Sequence, residues 1–319
     1  MAKVLVTGGA GFIGSHIVDG LVAAGHDVAV VDDLSAGKRE QVNPRARLHQ
    51  VDIRDSTALA QVFDQERPEY VDHHAAQASV AVSVKDPCRD AAVNILGSIH
   101  VFEQARRTGV RKVVYAYTGG ALYGEPRYMP CDEEHPVHPL SPYGTSKFAA
   151  EKYLGLFGQL YGLRFTVLRY ANVYGPRQDP FGEAGVVAIF TEKMLRGVQP
   201  VIFGTGEQER DFVYVSDIVR ANLLALERGD GEAFNIGTEA GVSVNRIFAQ
   251  LQAATGYGGA PAYDAPRAGD VFRIYLKAGK ARAGLGWSPR VGLDEGIRNT
   301  VTSPPGTYAR LGDGAITTR

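Results

Sequence analysis

The sequence predicts an α/β protein, a doubly wound parallel sheet followed by a smaller C-terminal domain. Three observations carry this. Short β-branched runs alternate with longer helical patterns through the first half of the chain. The runs are continuously apolar, as in Val4-Leu5-Val6 and Val28-Ala29-Val30-Val31, which suits strands covered on both faces. Glycine is in excess, 38 in 319 residues, with no collagen-like period, so it marks turns and close backbone approaches inside a folded chain.

The elements follow in order. Lys3–Thr7 is a strand, and Phe12–Ala24 is a helix with apolar residues at Ile13, Ile17, Leu21 and Val22. Asp27–Asp32 is the second strand. Leu48–Val51, Tyr70–His74, Lys112–Tyr117 and Arg164–Arg169 continue the series, with helices near Ser56–Gln65, Asp90–Gly109 and Pro142–Tyr161. After Gly175 the rhythm changes. A polar stretch, Pro176–Gly185, leads into a helix over Val186–Arg196 and then into short strands and turns that include Pro200–Gly206. The expected division is 1–175 and 176–319, with parts of the second returning to the first. The aperiodic residues 303–319 are expected to be an irregular tail.

Charge and cysteine exclude several classes. Lys plus Arg is 34 and Asp plus Glu is 35, and no basic cluster extends beyond Arg106-Arg107, so no nucleic-acid partner is expected. The two cysteines, Cys88 and Cys131, have no metal-ligand spacing; no metal site is expected, and a reducing cytoplasm fits. No stretch approaches eighteen apolar residues, and Val4–Val6 is too short for a signal segment, so no membrane association is expected.

The first strand runs into Thr7-Gly8-Gly9-Ala10-Gly11-Phe12-Ile13-Gly14, with glycines at 8, 11 and 14 where the first helix opens. That is the context a Rossmann-type dinucleotide site requires: the backbone turns sharply and a pyrophosphate meets the positive helix N-terminus. Asp32, at the end of the second strand, can accept from an adenosine ribose and would repel a 2′-phosphate, favouring NAD. Asp52-Ile53, after the third strand, is a second candidate contact, to the adenine.

Ser141-Pro142-Tyr143-Gly144-Thr145-Ser146-Lys147 reads as a helix start, with Ser141 as N-cap and Pro142 at N1. Tyr143 and Lys147 then share one helix face. A phenol with an ordinary pKa near ~10 is a poor base at neutral pH, and a neighbouring ammonium corrects that. Among 15 tyrosines the Tyr-x-x-x-Lys spacing arises by chance, so its weight comes from its place after five βα units.

TGGAGFIG, Asp32, HHAAQASV, Asn94, YTGGALYGE, YxxxK and LRYANVYGPRQDP together resemble the extended short-chain dehydrogenase/reductase family, and within it the UDP-sugar 4-epimerases. GTGEQERDFVYVSD, FNIG, APRAGDV and KARAGLGW continue the likeness to about residue 301. The resemblance implies a bound NAD, lined by Gly8, Gly11, Phe12, Ile13, Gly14, Asp32, Asp33, Asp52, Ile53, Ala75, Ala76 and Asn94, with Tyr170 facing the nicotinamide. Tyr143 would be the base and Lys147 would hold the phenolate and a ribose. Thr118 would relay the proton, because Gly119 stands where many epimerases place a serine. Gly119 and Gly120 also lack the carboxylates that dehydratase relatives need.

For a UDP-sugar, the resemblance implies Ser79, Thr118, Tyr143 and Asn172 near the sugar and diphosphate. Val187, Val201 and Phe203 would pack around the uracil, Arg210 and Arg267 would pair with the diphosphate, and Asp270 would accept from the uridine ribose. Ile274 would bound the room at the sugar's C2. Arg177 would meet a C6 carboxylate, which keeps UDP-glucuronate as an alternative substrate. A net dehydrogenase, reductase or dehydratase is a separate alternative. Tyr117, where relatives tend to have a small residue, is either a packed strand-end aromatic or a phenol in the relay. It gives some weight to a non-catalytic NAD-binding regulatory protein. A homodimer through Asn94–Gly109 and Pro142–Tyr161 is expected.

Overall fold

The computed structural model describes residues 1–181, 185–266 and 271–303. Its centre is a seven-stranded sheet in the order Glu232–Ile236, Phe165–Tyr170, Lys112–Thr118, Tyr70–His73, Lys3–Thr7, Asp27–Asp32, Arg47–Gln50. All six pairings are parallel, as continuous apolar runs require. Helices Phe12–Ala23 and Val215–Ala225 pack together on one face, and Ser56–Glu66, Ser98–Thr108 and Pro142–Tyr161 lie side by side on the other. Val4, Leu5, Val6, Val28, Ala29, Val30, Val31, Val113 and Val114 are almost completely buried between these layers.

Strand order reverses between Lys3–Thr7 and Tyr70–His73, which opens a crevice at the carboxyl ends of the strands. Glu232–Ile236, from the C-terminal half, supplies the edge beside Phe165–Tyr170. The helix read as Asp90–Gly109 is instead Pro87–Ala91, a π-helical turn over Ala92–Gly97, and Ser98–Thr108. The wider turn seats the Asn94 side chain in four hydrogen bonds with three residues and lays Gly97 against Ile53, whose side chain fills the space a Cβ at 97 would need.

A second, smaller core gathers Tyr174, Val187, Phe190, Met194, Ile202, Phe212, Ile247, Phe248, Leu251 and Ile297. Helices Val186–Leu195, Val244–Thr255 and Leu293–Val301 enclose it, with short strand pairs Asn172–Tyr174/Phe212–Tyr214 and Val201–Phe203/Ala262–Asp264. The tail from 304 lies outside the described residues. Among the described residues, no helix is long and apolar enough to cross a membrane and no cluster of ligating side chains could hold a metal ion.

Candidate active site

The cofactor crevice is built from backbone. Gly8 has φ +71, and a Cβ there would lie 2.6 Å from the Ala75 nitrogen and 2.8 Å from the His74 carbonyl carbon, so only glycine fits. A Cβ on Gly14 would strike the Gly8 carbonyl oxygen. Gly11 is the N-cap of helix Phe12–Ala23, and no side chain caps that first turn. An uncapped N-terminus on a twelve-residue helix, facing a side-chain-free loop, suits a pyrophosphate.

Asp32 is buried and fixed by backbone amides: Ala10 N donates to Oδ2 and Leu34 N to Oδ1, both at 2.9 Å. Burial pushes its carboxyl above the ordinary value, and these two bonds oppose the shift. Each oxygen keeps a second lone-pair direction for a ribose hydroxyl. These features fit NAD. Asp33 is exposed and bonds Ser35. Asp52 forms a 2.5 Å ion pair with Arg54, whose hydrogen bond holds its carboxyl below the usual range. Ala75 N donates to Thr7 Oγ1 at 3.1 Å, fixing the Ala75-Ala76 loop to the first strand.

Asn94 is enclosed. Its Nδ2 donates to Gln77 O, Asp90 Oδ1 and Ser146 Oγ, and its Oδ1 accepts from Gln77 N. It ties the crevice loop to the helix that carries Tyr143 and Lys147. Tyr170 is also enclosed: its ring stacks on His74 and its hydroxyl bonds Asn222 at 2.9 Å. Tyr170, expected to face the nicotinamide, thus has its hydroxyl bonded to helix Val215–Ala225. His73 and His74 face opposite ways, His73 toward Thr7 and Ser98, His74 toward Asp72.

Ser141 caps helix Pro142–Tyr161, its Oγ accepting from Gly144 N at 3.2 Å, with Pro142 at N1. Tyr143 is partly buried and Lys147 is buried one turn later. Burial lowers Lys147 to about 7, against the opposing charge of Asp90. Its ammonium lies 4.2 Å from the centre of the Tyr115 ring. Thr118 ends the neighbouring strand, and its Oγ1 accepts from Ala121 N at 3.3 Å. A Cβ on Gly119 would run into Leu276, so that position has no room for a side chain. A Cβ on Gly120 would lie 3.5 Å from Asn172 Oδ1 and 3.9 Å from Thr118 Oγ1, which places both groups beside one glycine. Tyr117 is a packed aromatic, stacked on Tyr115 with its hydroxyl 3.5 Å from Gly144 O; burial raises its pKa far above the ordinary phenol value.

Val187 is buried, while Val201, Phe203 and Asn172 are partly open. Ser79 caps helix Val80–Lys85 by accepting from Val82 N. Arg210 donates to the Glu209 carbonyl at 2.9 Å, while adjacent Asp211 is buried and accepts from Thr238 and Leu276 N. Ile274 is buried in the core. Arg177, expected at a C6 carboxylate, pairs through its Nη2 with Asp19 on the first helix at 2.7 Å. Arg267 and Asp270 lie outside the described residues.

Residues 4–237 match the model of the NAD dependent epimerase/dehydratase family. The chain belongs to that family. NAD is the enzyme's cofactor, and its class is isomerase. It is 49% identical over 298 residues to a putative UDP-glucose 4-epimerase of Methanocaldococcus jannaschii, covering 93% of this chain and 97% of the relative. The UDP-glucose 4-epimerase of Mycolicibacterium smegmatis is 45% identical over 305 residues, at 94% and 97% coverage. Among solved structures, the UDP-glucose 4-epimerase of Thermotoga maritima with UDP-glucose superposes with TM-score 0.93 at 54% identity, covering 97% and 99%. That of Thermus thermophilus in complex with NAD gives 0.90 at 46% identity, with the same coverage.

The epimerase site also contains groups that motif reading passes over. Asp90, four residues before Asn94, shares its network and its charge reaches Lys147. Tyr115 lies two residues before Tyr117 and so shares its strand face; that spacing was the available signal. Asp211 anchors Leu276, which closes the space beside Gly119, and burial raises its carboxyl to about 6. Nothing in the sequence marks that contact across 65 residues.

Proposed function

We propose that the chain interconverts the C4 epimers of a UDP-hexose, UDP-glucose and UDP-galactose foremost, through a transient 4-keto sugar. The carrying observation is that the start of the helix bearing Tyr143 and Lys147 lies against the loop of Thr118, Gly119 and Gly120: a Cβ on Gly144 would lie 2.5 Å from the Ala121 carbonyl oxygen. Bound NAD+ would supply a reversible hydride acceptor for C4, which would leave no net redox change. The residues of the chain handle the proton. Tyr143 phenolate accepts it from the 4-hydroxyl, with Thr118 as relay, and returns it to the C4 oxygen after the sugar has turned. The Lys147 ammonium stabilises the phenolate and brings its pKa toward the working pH.

Dehydration is disfavoured because neither Gly119 nor Gly120 can exchange a proton. The packing of Tyr117 takes away what favoured a non-catalytic binding protein. The Thermotoga maritima complex with UDP-glucose supports the substrate class. Within this reading Asn172 and Ser79 serve the sugar and diphosphate. Val187, Val201 and Phe203 serve the uracil, and Arg210, Arg267 and Asp270 serve the diphosphate and uridine ribose. A cytoplasmic homodimer belongs to the same reading, supported by the exposed Leu96, Tyr153, Leu156, Leu160 and Tyr161 on or beside the two expected helices.

Tyr143→Phe tests the base. It should keep its bound NAD and lose about a hundred-fold or more of turnover. Undiminished turnover would overturn the assignment.

A further inference from the structure

Lys147 presents an unusual problem for a catalytic ammonium. It is buried, and burial opposes its charge. What it meets is the face of the Tyr115 ring, with Nζ 4.2 Å from the centroid. Tyr115 is fully buried, and its hydroxyl donates back to the Lys147 carbonyl at 3.3 Å. Tyr117, on the same strand face, stacks on Tyr115 with centroids 6.4 Å apart and reaches the Gly144 carbonyl. The first turns of the catalytic helix therefore rest on two aromatic tiles from the neighbouring strand.

The titratable groups around this ammonium come from four elements. Asp90 faces it from Pro87–Ala91, its attraction felt across the buried space. His73 faces it from Tyr70–His73, and burial holds that imidazole well below its ordinary value, so it is neutral and adds no charge. Tyr143 and Glu151 lie on the same helix, and Tyr115 and Tyr117 on the strand beneath. Asp90 Oδ1 is occupied by Gln77 and Asn94, while its Oδ2 is buried without a hydrogen-bond partner among the described residues. The Tyr115 ring face lies directly against the charge.

We propose that Tyr115 is a positioning residue for the reaction, its ring face holding Lys147 charged and in place beneath Tyr143. The inference rests on the reading of Tyr143 as base and Lys147 as its electrostatic partner. A desolvated ammonium gains from the negative face of an aromatic ring and loses that gain when the face is made electron-poor. Weaker support lowers the Lys147 pKa and raises that of Tyr143, since a neutral amine no longer favours phenolate. The pH optimum narrows from both sides.

The test changes the ring and keeps its shape. Tyr115→Phe retains the π face; pentafluorophenylalanine incorporated at position 115 has nearly the same outline with the quadrupole reversed. Using enzyme with its copurified NAD, kcat and KM for UDP-galactose are measured across pH. The phenylalanine variant should keep the width of the wild-type profile. The fluorinated one should move the acid limb of kcat up by about one pH unit, with about a tenfold loss at pH 7 and KM changed little. Equal profiles for the two, or a phenylalanine variant as impaired as the fluorinated one, would overturn the proposal. Tyr143→Phe run in parallel separates the two readings: if it stays active the base assignment fails, whereas an inactive Tyr143→Phe with a fluorine-insensitive profile removes Tyr115 alone.

Discussion

Gly119→Ala should destabilise the enzyme through one contact, and the same contact predicts its own rescue. No positive φ is required at 119, so alanine is compatible with the backbone there. The obstacle is Leu276: a new Cβ would run into its Cδ1, with Cδ2 at 3.3 Å and the Tyr170 carbonyl oxygen at 3.2 Å. Leu276 cannot retreat freely, because its amide is bonded to buried Asp211. Overpacking of this kind costs about 1–3 kcal/mol. Leu276→Ala alone, which empties a fully packed site, should cost about 2–5 kcal/mol. In that background the added methyl enters vacated space, and the lower chain entropy of alanine in the unfolded state contributes up to about 1 kcal/mol in its favour. The double variant should therefore be no less stable than Leu276→Ala, a coupling of about 1–3 kcal/mol. Urea unfolding followed through Trp287 reads this directly. It is the chain's single tryptophan, fully buried and bonded to the Asp217 carbonyl at 2.8 Å. Costs that add within about 0.5 kcal/mol, or a Gly119→Ala variant as stable as the parent, would refute the reasoning.

Other outcomes follow from the same geometry. Gly8→Ala should abolish NAD retention through gel filtration, because its Cβ has only the His74-Ala75 backbone to move into; a full complement of NAD in the purified variant would contradict the crevice as described. Thr118→Ala should lower kcat by about a hundred-fold with NAD retained, while Thr118→Ser keeps most activity; equal loss in both would remove the hydroxyl from the relay. Asp211, with its folded pKa raised to about 6 from an ordinary 3.8, holds its proton more tightly in the fold than in the unfolded chain. Its contribution to stability is therefore greatest below about pH 4 and declines as pH rises to about 6, and Asp211→Asn should flatten that part of the stability–pH curve. A decline that persists in the variant would place its origin elsewhere. Light scattering at micromolar concentration should give twice the 34.3 kDa chain mass, and a monomer would contradict the dimer reading.

The sheet was legible because its strands are buried on both faces and so announce themselves as apolar runs, and because the glycines after Lys3–Thr7 have a single structural meaning in that setting. Ser141-Pro142 likewise opens the catalytic helix with ordinary cap chemistry. What stayed hidden depends on partners far away in the chain. The segment Glu232–Ile236 carries no mark of the strand it joins; only pairing with Phe165–Tyr170 returns it to the first sheet. The π-helical turn exists to seat Asn94, and no local residue pattern demands it. Asp211 follows Arg210 in an extended chain, yet it turns inward to Thr238 and Leu276, partners 27 and 65 residues away. Tyr170 and Arg177 were assigned by motif, yet a buried Asn222 and the surface Asp19 claim their polar ends.

The central claim is that the protein turns a sugar over at C4 with a resident cofactor and no net oxidation. Purified enzyme mixed with UDP-galactose and no added NAD, followed by proton NMR, tests it most directly. The account predicts a mixture of UDP-galactose and UDP-glucose that reaches the same composition from either side, with no build-up of reduced nicotinamide. Unchanged UDP-galactose in enzyme that carries NAD, or stoichiometric accumulation of a keto sugar with reduced cofactor, would contradict it.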